Sequence, residues 1–275
     1  MLTCSDFVTG TGMFQLRHII FLVISLALVG VLPFLAIKYN LKRSTIHKIL
    51  LFEGIFSESI KVITYILLNE NALGGYLSKG DLPFHLCSIQ LIFIAILNFS
   101  KNEKIHHFLY SFMIPTCLVG GIAALFISTA SSRNNILIGI QYFSYHSMIS
   151  AFAIYLLANK EIVFTVKDYW KTLAMLCATF FIAIYLNSIL YTPNFVFDEA
   201  SGTFVATEYM SINFMYVVGP PQSGLPFLNK DHGWGVYIVH YALTAVFAVT
   251  ACYIKPIINW FKDRKKSKEI VCENN

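Results

Sequence analysis

Cys87, His85 and His146 are the side chains of this chain best suited to covalent and proton-transfer chemistry. All three fall in or beside apolar runs. A thiolate is a nucleophile, and an imidazole at similar depth can act as its base. Cys87 lies two residues after His85 in GDLPFHLCSIQ, so on a helix the two side chains point to different faces and a base for Cys87 should come from another element. His146 is that candidate, with Tyr142 and Ser150 four residues to either side on the same face. The proline of LPFHLC suits a first helical turn, which would set the partial positive charge of a helix N-terminus about one turn from the thiol. Read alone, each of these residues has a plainer role: a lone membrane cysteine is a small hydrophobe and a lone buried histidine a packing residue.

Other polar residues share that depth. Taking ~1.5 Å of rise per residue from the expected outer helix ends, Cys87 and Asn187 lie ~6 Å deep, His240 ~9 Å, Lys61 ~10 Å, and Glu58 and His146 ~15 Å. His18, His85 and Gln90 fall in the same outer half. Ionisable residues inside a span usually face the bundle interior or a wet cavity, so one depth band predicts one pocket open to the exterior or lumen. Gly54, Ser57, Glu58, Lys61 and Tyr65 recur at three and four residues along one stripe. Glu58 with Lys61 is spaced for an ion pair that is either structural glue or part of a site for an anionic group.

These residues need helices to hold them. Of 275 residues, 56% are hydrophobic and 13% charged, which excludes a soluble globular domain, a disordered chain and a secreted disulfide scaffold. The expected fold is all-α and polytopic, a bundle of seven transmembrane helices near 18–37, 49–68, 83–99, 108–129, 136–158, 170–191 and 234–253. Residues 1–260 then form one domain, and 261–275 a basic cytoplasmic tail containing FKDRKKSK. In the first span the basic residues follow the apolar run, so it reads as a retained anchor instead of a signal peptide. Segments after spans one, three, five and seven hold fourteen lysines and arginines, against four on the other side. That bias sets the amino terminus outside and the carboxyl terminus in the cytoplasm. His106 and His107, at the inner end between spans three and four, read as interfacial. Six scattered cysteines with no CxxC give no disulfide framework.

The connection from Thr192 to Gly233 contains SINFMYVV, too short to cross the bilayer. It is either a re-entrant piece or a surface loop with a hydrophobic anchor. The turn-rich exit carrying Gly219, Pro220, Pro221, Gly224 and Pro226 would hold it against the bundle.

MFQLRHIIFL in span one, LPFHLCSIQ opening span three, YFSYHSMIS in span five, and SINFMYVVGPP followed by HGWGVYIV resemble the YwaF-like family of integral membrane proteins over almost the whole chain. The animal branch of that family resembles an acyltransferase acting on ether phospholipids. By motif, the resemblance implies Cys87 as nucleophile and His146 as general base, with His18, His85 and Asn213 lining the site. Ser88 stands where many relatives have an aspartate, so a mechanism that needs a carboxylate there does not transfer.

The leading expectation is a membrane-embedded acyltransferase or acyl-lipid hydrolase with catalytic Cys87 and His146, and with His18, Glu58, Lys61, His85, Gln90, Asn187, Asn213 and His240 binding substrate. The alternative is a non-catalytic lipid or small-molecule carrier using the same pocket. Membrane phospholipids are the expected partners, in a bacterial cell membrane or a eukaryotic endomembrane. The short basic loops give no nucleic-acid face. The spacings of His18, His85, His146 and His240 match no metal or haem ligand pattern, so no cofactor is expected.

Overall fold

The computed structural model describes residues 14–68, 77, 79–159, 162–191, 194–198, 201–207, 212–220, 228 and 230–273. The protein is an all-α polytopic membrane protein apart from one small hairpin. Its helices are α1 (Leu16–Lys38), α2 (Arg43–Leu68), α3 (Leu86–Phe99), α4 (Glu103–Phe126), the short α5 (Ala130–Asn134), α6 (Ile136–Ala158), α7 (Val166–Leu190), α8 (Trp234–Cys252) and α9 (Ile254–Glu273). Four of them, α1, α4, α7 and α8, are long and apolar enough by length and composition to cross a bilayer.

The others depart from that pattern for physical reasons. α6 is 23 residues long but carries Gln141, His146 and several Tyr and Ser. It can do so because it is the central helix, packed most extensively against α4, α1 and α2, with its polar groups turned to the interior. α2 carries Glu53, Glu58 and Lys61 within its apolar stretch. α3 has only 14 residues. It starts at Leu86, where a start at Pro83 was expected. The 3-10 turn Lys79–Asp81 ends ahead of the proline, which disfavours helix in the residue before it, and His85 is still extended (φ −70, ψ 150) as the N-cap. The basic residues of the tail lie on α9, which is helical through Glu273.

Polar groups at helix ends are satisfied locally. The Asn135 side chain accepts from the Leu137 and Ile138 amides at the start of α6, and Asn102 accepts from Lys104 at the start of α4. Thr165 and Asp168 form a capping box on α7. Inside α4, Pro115 has no N–H to offer the carbonyl of Ser111 four residues back. That carbonyl instead accepts from Tyr253 Oη at 2.8 Å and Thr172 Oγ1 at 3.1 Å, so the proline's missing bond ties α4 to α7 and to the end of α8.

β1 (Asn194–Asp198) and β2 (Thr203–Thr207) pair antiparallel, Asn194 opposite Thr207 and Asp198 opposite Thr203. No strand was expected here, although FVF and FVA flank a turn-forming stretch.

The SINFMYVV segment resolves in favour of burial. Phe214 is fully buried, and Ile212, Met215 and Val217 are each at most 5% exposed. Its backbone is irregular, with Met215 and Tyr216 both at φ 56. Buried irregular backbone must find partners for every polar group, and here side chains of the neighbouring helices supply them. Asn187 of α7 takes both the amide and the carbonyl of Phe214, at 2.8 and 3.2 Å. From α8, Tyr241 Oη donates to the Met215 carbonyl at 2.8 Å, Tyr237 Oη to that of Tyr216, and Trp234 Nε1 to that of Val217 at 2.9 Å. Asn213 folds back onto the Val218 amide and the Gly219 carbonyl. Of the expected exit, residues 221–227 lie outside the described residues.

Candidate functional site

A cavity of about 420 Å³ opens among α2, α3, α4, α6, α8 and the buried segment around Met215. Cys87 and His146 both line it, as do Glu58, Lys61 and His85. α3 presents Cys87 as its second residue, within the first turn, and the His85 side chain does not cap the helix. Tyr145 Oη donates to the Cys87 carbonyl at 2.9 Å and pins this turn to α6.

His146 is oriented by its own helix. Its Nδ1 lies 2.7 Å from the Tyr142 carbonyl, and because a carbonyl only accepts, Nδ1 carries the proton and Nε2 keeps its lone pair. The Tyr142 ring packs on the imidazole at 4.2 Å between centroids. No hydrogen bond joins His146 to Cys87; the two share the cavity without forming a dyad.

Lys61 Nζ is 2.7 Å from Glu58 Oε1 and donates to the Asp81 carbonyl at 3.1 Å, bridging α2 to the turn ahead of α3. His85 packs against Phe214 and Tyr216, with centroids at 5.2 and 5.8 Å, joining the α3 cap to the buried segment. Gln141 Nε2 donates to Ser57 Oγ across the α2–α6 crossing.

The remaining candidates lie outside the cavity wall. His18 is 1% exposed with both ring nitrogens used: Nδ1 accepts from the Phe14 amide and Nε2 donates to the Leu125 carbonyl, each at 2.9 Å. Gln90 is fully buried, donating to the Leu86 carbonyl and to Thr116 Oγ1, while its Oε1 has no partner. Asn187 and Asn213 are committed to the backbone of the buried segment. His240 sits on α8 among lining residues, its carbonyl accepting from Thr244 Oγ1, but is not itself part of the cavity wall.

Sequence reasoning put Tyr65 and Tyr142 on polar stripes but gave no tyrosine a role in the site. Tyr142, Tyr145, Tyr216, Tyr237 and Tyr241 all line the cavity. Tyr237 and Tyr241 are spaced i,i+4 on α8, the stripe that could have pointed to them. Among the described residues, no three His, Cys, Asp or Glu side chains converge to hold a metal ion. Cys87, Cys117, Cys177 and Cys252 are free thiols.

These features define an integral, multi-pass membrane protein with an interior cavity lined by one thiol, two imidazoles, an ion pair and several phenols. Residues 13–253 match the TMEM164 family, and the chain belongs to that family. No curated protein and no solved structure matches it.

Proposed function

We propose that the protein is a membrane-embedded acyl-transfer enzyme, acting on phospholipid acyl chains through Cys87 and His146. One observation carries the reading: side chains from α3 and α6, nearly sixty positions apart in the chain, line one cavity. The likeness to the YwaF-like acyltransferase branch supports it.

In this mechanism His146 Nε2 takes the Cys87 proton, and the thiolate attacks the carbonyl carbon of a lipid ester. Charge on the tetrahedral oxygen falls near the first-turn amides of α3, where N–H groups and the helix dipole favour an anion. Collapse breaks the ester C–O bond; the leaving alkoxide takes the proton from the imidazolium, leaving a lysolipid and a thioester on Cys87. A second hydroxyl, from a lipid or water, then gives its proton to His146 and attacks the thioester. The new ester or acid departs and the thiol is restored. Lys61 with Glu58, His85 and the tyrosines bind and orient the lipid.

This reading uses seven spans, with α2, α3 and α6 completing the set begun by the four apolar helices. The amino terminus is outside and residues 1–260 form one domain. The bias of fourteen basic residues against four supports that orientation. Cys87 then lies toward the exterior or lumenal side.

Intact-mass measurement of the purified protein after incubation with mixed phospholipid vesicles tests the proposal. An acyl adduct on Cys87, lost in Cys87→Ala, is expected; no adduct, or one that survives Cys87→Ala, would overturn it. The missing Cys87–His146 hydrogen bond favours a second reading, a non-catalytic lipid carrier. A carrier keeps its flux in Cys87→Ala liposomes and loses it in Lys61→Glu.

A further inference from the structure

The cavity has a neighbour on the outside of the bundle. A groove of about 360 Å³ runs along α2 past Ile55, Ser59, Val62 and Ile63, and it shares two wall residues, Glu58 and Leu91, with the internal cavity. Ile55 and Ile63 are 54% and 55% exposed, which in a multi-pass membrane protein places the groove against hydrocarbon. The partition between groove and cavity is slight. A Cβ on Gly54 would lie 2.5 Å from Leu91 Cδ1, so the bare glycine is what lets the tip of Leu91 reach α2 and close the gap. Beside it, Glu58 is neutralised by Lys61 at 2.7 Å, so the boundary carries no unpaired charge facing lipid.

We propose that this groove binds one fatty acyl chain of a bilayer lipid and that the lipid's carbonyl end passes over Gly54 into the cavity when Leu91 rotates aside. The five lining residues of α2 recur along one stripe that faces hydrocarbon, and the two wall residues shared with the cavity make the groove continuous with it, so the occupant is a chain of the surrounding lipid. The destination of the chain rests on the acyl-transfer reading of the cavity; the occupancy of the groove does not.

Photolabelling separates the two. The full chain in phosphatidylcholine nanodiscs, doped with a phosphatidylcholine bearing a mid-chain diazirine, is irradiated and mapped by mass spectrometry. Label on Ile55, Val62 and Ile63 is expected about tenfold above that on Val239, Leu243 and Phe247, which α8 exposes to hydrocarbon elsewhere. Val62→Trp, or Ser59→Phe as an independent filling change, should remove the excess. Either change should also cut Cys87 acylation from a long-chain phospholipid about tenfold relative to acylation from nitrophenyl acetate. Equal labelling of both helices overturns the proposal, as does a second protomer cross-linked through the groove or an equal loss with both esters. If Cys87 takes acyl groups from neither ester, the acyl-transfer reading fails while the labelling map still decides the groove.

Discussion

The two ends of α2 treat polar side chains in opposite ways. Near its start, His47 Nε2 meets Tyr110 Oη at 2.9 Å while its carbonyl accepts from Asn98 Nδ2 at 2.9 Å. His106 donates to the Ser100 carbonyl at 2.9 Å, and His107 pairs at 3.1 Å with Asp168, the residue that also caps α7 and meets Lys171. His106 is buried, and His107, though partly exposed, is tied to Asp168. About 20 Å along the helix, Glu58, Lys61, Cys87 and His146 surround open space instead. Histidine occurs at both ends, so residue type does not mark the site. What separates the ends is whether the polar side chains close on one another or border a cavity. On α1, His18 has both ring nitrogens bonded, where His146 keeps one free.

That contrast can be broken by substitution, the largest effects falling at the open end. His146→Ala should slow thioester formation on Cys87 by about 10²- to 10⁴-fold, the range for losing a general base. His18→Leu, by contrast, should lower thermal stability in detergent by about 1–3 kcal/mol, the cost of orphaning the buried Leu125 carbonyl. Slowing of acylation as deep as that of His146→Ala would show that His18 belongs to the site.

The α4–α6 crossing behind His146 is the next test. A Cβ on Gly121 would lie 2.2 Å from Ser150 Oγ and 3.2 Å from the His146 carbonyl. Gly121→Ala should therefore cost about 1–3 kcal/mol by overpacking, and Ser150→Ala in the same chain should restore part of it, as a double-mutant cycle of melting temperatures would show. Asn187→Leu leaves two buried backbone groups of Phe214 unpaired and should cost about 1–3 kcal/mol. Hydrogen exchange should then rise first in residues 212–218. The smallest effect belongs to the exposed Arg43–Glu103 pair at the closed end, 3.6 Å apart, where Glu103→Gln should change stability by less than ~1 kcal/mol.

Parts of this arrangement are legible in one dimension. The Gly54, Ser57, Glu58, Lys61, Tyr65 stripe follows from helical spacing, and all five line the cavity. Cys87, His85 and His146, which a count of residues from the helix ends puts in one outer-half band, all line the cavity. The same count places His18, Asn187 and His240 at that depth, and there it misleads, because depth says nothing about which way a side chain turns around the helix. Asn187 turns to a chain segment 27 positions later, whose irregular backbone has no local pattern to announce its needs. Tyr145, Tyr216, Tyr237 and Tyr241 stay hidden for a related reason. An apolar ring with a polar tip satisfies both a packing pattern and a site, and only its partner distinguishes them.

The amino-acid order alone determined that this chain lives in a membrane, roughly where its helices run, and which ionisable side chains must be sheltered from lipid. These follow from local composition and the cost of exposing polar groups to hydrocarbon. Only the tertiary structure decided which sheltered groups are consumed by one another and which are left facing a cavity. That choice depends on helix rotation and on backbone carbonyls far away in the chain, such as those of Leu125, Ser111 and Phe214, that claim a hydrogen bond before any ligand can.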